Sequence, residues 1–297
     1  MMVYVKLGIT AVLWGGTFVA GRLLADGIGA FSATFLRFLL ASCCLLWIVH
    51  TRMGGLPRLT PKEWGGVCVL GATGVLACNV LFLLGLQTVP AGRAAVIFAC
   101  NPVVIAVFAA LFFAESFTLR KALGLCCSIF GAIVAITRGE LGIFFTHAVS
   151  YGDILIACSV ASWIAYALIG KRMMFVLSPH AATTYSCIAG TVMLFPFAVH
   201  DGLFADAAHY TLVHALSIFY LGVLGTVVGF LWFYEAIREV GASRASVFFN
   251  FVPIAAIVSG WMFLGEPVTP SLVVGVLFVL GGVYIVNSGK QVVLEES

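Results

Sequence analysis

The sequence predicts an all-α integral membrane protein in which ten transmembrane helices form two inverted five-helix repeats around a central cavity. Three observations lead to this fold class: the composition, a series of long apolar runs, and an internal repeat. Of the 297 residues, 62% are hydrophobic and 9% are charged, and the mean hydropathy is +1.15. Because a soluble chain carries roughly 25% charged residues to cover its surface, most of this chain is expected to face lipid.

The composition also excludes several classes of function. A soluble enzyme or a disulfide-stabilised secreted domain does not fit this hydropathy, and a net charge of +3 gives no reason to expect a nucleic-acid partner. The nine cysteines lie inside apolar runs, without the spacing of a metal site. We therefore expect no metal and no cofactor; the expected partners are the lipid bilayer and a small-molecule substrate, and the expected state is a monomer.

Ten apolar runs meet the length of about 20 residues that a helix needs to cross a bilayer. The predicted spans are 4–24, 30–49, 64–87, 91–112, 119–137, 152–170, 180–199, 211–236, 242–263 and 269–287. Runs of this length without apolar–polar alternation exclude the strands of a membrane β-barrel, which have about ten residues.

Positive charges predict the orientation of the helices. With the N-terminus in the cytoplasm, eleven Lys and Arg residues fall on the cytoplasmic side and three, Arg22, Arg93 and Arg138, fall on the other side. Loops on the cytoplasmic side of a membrane carry the excess of Lys and Arg. We therefore expect a multi-pass protein of the cell inner membrane with both termini in the cytoplasm.

The internal repeat is the strongest single feature of the sequence. At an offset of 151 the aligned pairs are Arg93 with Arg244, Pro102 with Pro253, Glu115 with Glu266, Gly124 with Gly275 and Gly131 with Gly282. Earlier spans align at an offset of 149, for example Trp14 with Trp163. We expect a first repeat at 1–144, a second at 145–290 and a cytoplasmic tail at 291–297. Because five spans is an odd number, the second repeat enters the membrane from the opposite side.

Inverted repeats favour a secondary transporter, because two copies that exchange conformations give inward-open and outward-open states around one site. The chain has none of the HExxH, GxSxG or phosphate-loop patterns of enzymes. A non-enzyme is therefore expected. A channel-like passive pore stays open as the alternative from a different class, since some channels also have this symmetry.

Several motifs resemble the EamA type of the drug/metabolite transporter superfamily. They are Trp14-Gly15-Gly16-Thr17-Phe18 in the first span, Arg37-Phe38 in the second, and the twice-used pattern Ala-x-Arg-Ala…Pro…Glu. The resemblance covers residues 4 to 288 and implies a ten-helix exporter of metabolites or amino acids. Within the superfamily the chain looks most like the YddG-type exporters of aromatic and neutral amino acids. A carrier of organic cations, drugs or sugar derivatives is the alternative within the same superfamily.

Polar residues beside prolines form the first candidate for a binding site. Pro102 and Pro253 stand inside predicted spans, where each removes a helical hydrogen bond. Asn101 and Asn250 lie near them and could bind the ammonium and carboxylate of a zwitterion. We predict that the two prolines act as hinges; the alternative is that they only bend helices and that the amides bond between helices.

A stripe on the sixth span forms the second candidate. Ser159, Ser162, Trp163 and Tyr166 recur at the spacing of one helical face. The first span repeats part of this pattern with Trp14 and Thr17, and Asn79 is the strongly polar residue near the middle of the third span. These residues are predicted to line the cavity for an amphipathic substrate, with ordinary helix packing as the alternative.

The ionisable residues suggest how transport is driven. Arg37 lies about 10 Å into the second span by helical rise and is interpreted as structural, and Glu235 is expected to pair with Arg238. None of the twelve Asp and Glu residues falls in the central third of a predicted span. Since proton-driven carriers usually bury such a residue, transport without obligatory proton coupling is predicted. Sodium coupling through carbonyl and amide oxygens stays open.

Overall fold

In a computed structural model of the chain, the described part is helical apart from short connections and contains no strand. The structure describes residues 2–25, 27–53, 55–101, 119–136, 149–173, 176–205, 210–240, 248 and 251–287. The prediction of an all-helical protein is confirmed for these residues.

Ten continuous helices follow one another along the described residues, and each overlaps one of the predicted spans. They are α1 (Met2–Ala25), α2 (Ala30–Met53), α3 (Pro61–Leu86), α4 (Ala91–Phe98), α5 (Leu119–Ile136), α6 (Tyr151–Met173), α7 (Pro179–His200), α8 (Leu212–Phe219 continued by Tyr220–Val228 and Gly229–Val240), α9 (Val252–Leu264) and α10 (Pro270–Asn287). The parts of the predicted spans at 102–112 and 242–247 lie outside the described residues.

Capping side chains explain where two of these helices begin. The hydroxyl of Thr60 accepts a hydrogen bond from Glu63 N at 3.4 Å, and the Glu63 carboxylate accepts one from Thr60 N at 2.5 Å. This capping box starts α3. Ahead of α7, the Ser178 hydroxyl accepts from Ala181 N at 3.2 Å, and Pro179 takes the first helical position. These side chains satisfy N–H groups that have no partner within the helix.

Six of the helices, α1, α2, α3, α6, α7 and α8, are individually long and apolar enough to cross a membrane. Shorter apolar segments lie in α5, α9 and α10. Large apolar side chains face outward along the helices, for example Trp47 and Trp261, which are 69% and 61% exposed. Because an outer surface of this kind suits lipid and not water, the chain is a multi-pass membrane protein.

Two helices widen into π-helical turns, at Gly71–Ala77 in α3 and at Tyr220–Val228 in α8. A π-helical turn moves the backbone hydrogen bond from the fourth to the fifth preceding carbonyl and is frequent at functional sites. Neither turn is predicted by a local sequence pattern. Carbonyl groups of each turn accept hydrogen bonds from side chains of the same helix, and the Gly225 carbonyl also accepts one from Trp14 on α1.

Glycines within the two π-helical turns bring their helices close to α7 and α2. A Cβ atom on Gly71 would lie 3.0 Å from the carbonyl oxygen of Ser186, and one on Gly222 would lie 2.8 Å from that of Arg37. Gly71 and Gly222 are 151 residues apart, and Arg37 and Ser186 are 149 apart. The two contacts therefore join residues at matching positions of the sequence repeat.

Helix packing follows the same correspondence. Helix α5 packs along α10, α2 along α7, and α4 against α9. Helix α1 packs on α8 and α9, while α6 packs on α3 and α4. If each helix is exchanged for the one five places away, the first three pairs are unchanged, and the contacts of α1 become those of α6.

The contact between α5 and α10 joins residues that are themselves repeat partners. Cys127 Sγ donates to the carbonyl oxygen of Phe278 at 3.2 Å, and Ser128 Oγ donates to that of Val279 at 3.3 Å. In both bonds the partners are 151 residues apart. Ser42 on α2 and Thr191 on α7, 149 residues apart, likewise bring their hydroxyl oxygens within 3.4 Å.

Pro253 does not stand in the middle of a helix. It lies in the first turn of α9, which begins at Val252. A proline in a first turn loses no helical hydrogen bond, and its fixed backbone angle suits the helix start. Pro102 lies outside the described residues, so the hinge role of the two prolines stays a prediction.

Glu235 makes a contact between distant helices. Lys6 Nζ on α1 lies 2.7 Å from the Glu235 carboxylate on α8, and both side chains are partly exposed. The long Lys6 side chain therefore joins the first and eighth helices. The side chain of Arg238 is not among those the structure describes, so the expected pairing of Glu235 with Arg238 stays a prediction.

The glycines between α5 and α10 supply a test of this packing. A Cβ atom on Gly282 would meet the carbonyl oxygen of Gly124 and the side chain of Ser128, whereas one on the adjacent Gly281 would meet nothing within 4 Å. We expect Gly282→Ala to destabilise the protein by about 1–3 kcal/mol, because the backbones must move apart. The measurement is the thermal unfolding midpoint of the purified protein in detergent, with Gly281→Ala as the matched control. Equal midpoints for the two variants would contradict the contact.

Candidate functional site

A cavity lies between helices from both ends of the chain. Its empty volume is about 780 Å³, including space open to the outside of the protein. Helices α1, α2, α3, α4, α6, α8 and α9, with the residues just after α4, contribute its described lining. The lining residues are Trp14, Thr17, Phe18, Arg37, Cys78, Asn79, Phe82, Ala95, Phe98, Ala99, Asn101, Trp163, Phe230, Val252 and Pro253.

Five of the residues predicted from the sequence as binding residues meet in this lining. They are Trp163, Asn79, Asn101, Trp14 and Thr17. Asn250 lies outside the described residues. Pro253, predicted as a hinge, also lines the cavity. Residues that are distant in sequence are therefore brought together as the polar and aromatic stripes predict.

The other residues of the α6 stripe do not line the cavity. Ser159 is fully buried and its hydroxyl donates to the carbonyl oxygen of Cys78 at 2.6 Å, so it joins α6 to α3. The ring of Tyr166 lies against Gly74, in the space that a side chain there would occupy. Ser162 is half-buried and is not part of the described lining. The spacing predicted that all four side chains line the cavity. Ser159 and Tyr166 instead pack against α3.

Arg37 is the one charged side chain among the described residues that line the cavity. It is 6% exposed. Its Nη1 donates to Asn79 Oδ1 at 2.7 Å, and its Nε and Nη2 donate to Thr226 Oγ1 at 3.2 Å and 3.1 Å. The guanidinium therefore lies between α3 and α8 and contacts neutral oxygen atoms.

The two π-helical turns hold the partners of Arg37 in place. Asn79 Nδ2 donates to the carbonyl oxygens of Gly74 at 2.7 Å and Val75 at 3.2 Å. Thr226 Oγ1 donates to the carbonyl oxygen of Leu221 at 2.8 Å. The bonds to Gly74 and Leu221 reach five residues back, to carbonyl groups of the widened turns. Both amide hydrogens of Asn79 are thus used, and its oxygen must face Arg37.

Sequence reasoning gave Arg37 a structural role and did not place it in the site. The signal that could have found it is its depth, because an ionisable residue inside a membrane span is by default a candidate for function. The residue at the matching position of the second half is Ser186, which is fully buried and donates to the carbonyl oxygen of Thr183 at 2.9 Å. The charge therefore belongs to one half alone.

Asn101 supplies an acceptor of a different kind. It is 4% exposed, and its Oδ1 is a buried oxygen with no hydrogen-bond partner among the residues that the structure describes. A buried amide oxygen without a partner is unfavourable by about 1–3 kcal/mol. An atom of this kind in a cavity wall is suited to accept a hydrogen bond from a bound molecule.

Aromatic rings form two groups in the wall. Phe18, Phe82 and Phe98 meet edge to face, with ring centroids 5.1–5.6 Å apart. Phe230 lies 6.0 Å from Trp14 and 5.7 Å from Trp163. Trp14 donates its indole N–H to Gly225 O at 2.9 Å, whereas that of Trp163 has no hydrogen-bond partner in the described part of the chain.

The acidic residues near the helix ends serve other contacts. Arg93 on α4 pairs with Asp153 on α6. The carboxylate of Glu266 accepts hydrogen bonds from the backbone N of Ala91 at 2.9 Å and of Gly92 at 3.3 Å. These bonds satisfy backbone N–H groups at the start of α4. No acidic residue or histidine is part of the described lining of the cavity.

Among the residues that the structure describes, no three His, Cys, Asp or Glu side chains could together hold a metal ion. Aromatic surfaces, two amides and one cation suit a small molecule with polar and apolar parts. A cavity of this kind, enclosed by helices from both ends of a multi-pass chain, is typical of a membrane transporter.

Comparison with known proteins identifies this class more closely. The sequence matches the EamA-like transporter family over residues 2–137 and 150–288. The chain belongs to this family, which confirms the resemblance found in the sequence.

Curated relatives match along nearly the whole chain. The transporter YyaM of Bacillus subtilis is 27% identical over 95% of this chain and 92% of its own length. A transporter of Archaeoglobus fulgidus is 28% identical over 96% of this chain and 99% of its own length. A protein of Streptantibioticus cattleyicolor named "Probable terminal-alkyne amino-acid exporter" is 31% identical over 95% of this chain and 92% of its own length.

A crystal structure of another protein resembles the structure, with a TM-score of 0.68 and 17% sequence identity. The match covers 94% of this chain and 95% of the other chain. At this identity the likeness shows a shared fold alone.

Thr226 offers a test of the arrangement around Arg37. Thr226→Val keeps the shape of the side chain but removes the oxygen that accepts two guanidinium N–H groups. We expect a loss of about 1–3 kcal/mol in unfolding free energy, because a buried charged donor then lacks its acceptor. Thr73→Val is the matched control, since Thr73 lies in the other π-helical turn and its hydroxyl donates to Val69 O within its own helix at 2.8 Å. The measurement is thermal unfolding in detergent; equal midpoints would contradict the arrangement.

Proposed function

We propose that this protein is a secondary transporter of the cell inner membrane that exports small amphipathic metabolites, above all aromatic and neutral amino acids, by alternating access. The observation that carries the proposal is the cavity, which combines polar groups with an aromatic wall inside an EamA-family chain. The six aromatic lining residues are Trp14, Phe18, Phe82, Phe98, Trp163 and Phe230. A relative named as an amino-acid exporter supports the same substrate class.

The proposed architecture is ten transmembrane helices in two inverted repeats, at 1–144 and 145–290, followed by the tail at 291–297. The α5–α10 hydrogen bonds support it, because a two-fold axis between two copies brings equivalent residues together. Another pair of contacts agrees with this. Gly74 lies against Tyr166, and the repeat partner of Gly74, Gly225, lies against Thr17, the repeat partner of Tyr166. The Lys and Arg distribution supports placing both termini in the cytoplasm.

Equivalent halves supply the physical basis for alternating access. When two copies of one fold differ slightly in conformation, exchanging those conformations produces a second state of similar energy that opens to the other side. Helices α1 and α6 pack across onto the opposite halves, and both reach the cavity. The substrate would therefore meet the same aromatic and amide groups from either side.

A reconstituted transport assay tests the proposal. Liposomes that contain the purified protein are loaded with one unlabelled amino acid, and the uptake of the same amino acid in labelled form is followed. The assay is repeated for each of the twenty amino acids. Saturable counterflow of phenylalanine or leucine is the expected result. Counterflow with an organic cation or a sugar derivative instead would support the rival substrate classes, and single-channel conductance would support a passive pore.

Trp163 is expected to contribute to substrate choice. Trp163→Ala removes an indole from the cavity wall, and aromatic contacts contribute about 0.5–1.5 kcal/mol beyond burial. We therefore expect transport of aromatic amino acids to fall about 3- to 10-fold while membrane insertion and folding persist. Trp261→Ala, on the outer surface of α9, is the matched control. If Trp163→Ala transports the whole panel like the unaltered protein, the aromatic site is disproved.

Transport is proposed to run down the substrate gradient without obligatory proton coupling. This follows from the described lining, which contains no acidic residue and no histidine, and it suits an exporter because internal excess provides the driving force. Uptake of labelled phenylalanine into liposomes is measured with and without a pH gradient at zero membrane potential. We expect equal final levels in both. Uphill accumulation that needs the gradient and is lost in Glu235→Gln would refute uncoupled transport.

A further inference from the structure

We propose that Arg37 is the group that binds the carboxylate of the substrate, so that the cavity selects aromatic and apolar carboxylates over amines that lack this group. The inference deepens the proposed function, because it assigns the part of an amino acid that the site must recognise. It rests on the environment of the Arg37 guanidinium.

The first step is the charge of the site. Arg37 is 6% exposed, and the partners of its guanidinium, Asn79 and Thr226, are neutral. The two ion pairs found among the described residues, Lys6 with Glu235 and Arg93 with Asp153, do not involve it. A buried cation without an anionic partner is unfavourable. An anion entering the cavity would therefore be attracted to Arg37.

The second step is the hydrogen-bonding capacity that remains. A guanidinium has five N–H groups. Three of them are used: Nε and one N–H of Nη2 toward Thr226, and one N–H of Nη1 toward Asn79. One N–H on each terminal nitrogen is left over. These two N–H groups are available to donate charge-assisted hydrogen bonds to carboxylate oxygens.

The third step is the orientation of Asn79. Its two amide hydrogens are fixed on the Gly74 and Val75 carbonyl oxygens, so it offers Arg37 a neutral acceptor. An aspartate there would neutralise the guanidinium from within the protein, but the chain has an amide. Arg37 is therefore oriented by its neighbours and its charge is kept.

The rest of the lining complements a carboxylate on Arg37. The unpartnered Oδ1 of Asn101 would accept a hydrogen bond from the ammonium group of an amino acid. The group of Phe18, Phe82 and Phe98 would face its apolar side chain. The alternative is that Arg37 only clamps α2 to α3 and α8. In that case the binding of a ligand would not depend on its carboxylate.

The unaltered protein separates these alternatives without any mutation. Binding is measured by isothermal titration in detergent with three ligands: phenylalanine, 3-phenylpropionate, which lacks the ammonium, and phenethylamine, which lacks the carboxylate. We expect phenethylamine to bind about 10- to 100-fold more weakly than phenylalanine, because the charge-assisted bonds to Arg37 are lost. Binding of 3-phenylpropionate should be weakened less.

Each result of this titration has one meaning. Equal binding of phenylalanine and phenethylamine overturns the role of Arg37 and leaves the amino-acid function standing. If 3-phenylpropionate binds and phenylalanine does not, the carboxylate-binding role of Arg37 is supported and the amino-acid function is overturned. Binding of none of the three overturns both.

Substitution of Arg37 tests whether this residue causes the preference for phenylalanine over phenethylamine. Arg37→Gln keeps hydrogen bonds within reach of Asn79 and Thr226 but removes the charge, so the preference for phenylalanine over phenethylamine should fall to about twofold or less. Arg37→Lys keeps the charge but loses the planar guanidinium, so it should keep only part of the preference. Arg22→Gln is the matched control, because Arg22 donates to Leu86 O and is not among the lining residues. A folded Arg37→Gln protein with unchanged preference overturns the inference; if that variant does not fold, the three-ligand titration decides.

Discussion

The interior of this protein depends on one requirement: a guanidinium within the membrane must be held by polar groups of the chain. Three of the five N–H groups of Arg37 donate to Asn79 and Thr226, on α3 and α8. Each of those side chains in turn bonds to a carbonyl five residues earlier, which an unbroken α-helix would keep for its own N–H groups. The π-helical turns, the glycines that allow α3 and α8 to approach their neighbours, and the shape of the cavity are thus linked to one cation.

Much of the fold could be predicted because the physics of a bilayer is simple. Length and hydropathy locate the helices, since lipid admits little else, and the repeat motifs relate the two halves. The capping of α4 by Glu266 could not be predicted, because it joins residues 174 and 175 positions apart. The π-helical turns could not be predicted, because they arise from contacts between helices and have no local sequence pattern. The position of Pro253 at a helix start was missed because spans were measured by hydropathy alone.

The candidate site was predictable to the extent that polarity is rare in lipid. Trp163, Asn79 and Asn101 were found because each is conspicuous in an apolar run, and the structure brings them to one cavity. Ser159 and Tyr166 were placed there by helical spacing, which gives a face but not the rotation of the helix. The Cys78 carbonyl and the gap at Gly74 determine that rotation. Arg37 was passed over because a family motif suggested architecture, whereas its burial among neutral groups points to a ligand.

The replacement of Arg37 by Ser186 in the second half has a kinetic consequence for the proposed carrier. A perfectly symmetric carrier would meet its substrate identically from both faces of the membrane. Here one half contributes a fixed charge and the other a hydroxyl bonded to its own helix, so the two faces present unequal electrostatic surroundings. Detailed balance forbids an uncoupled carrier from converting that inequality into accumulation. The inequality must instead appear as different half-saturation concentrations at the two faces, each offset by a proportionate change in maximal velocity.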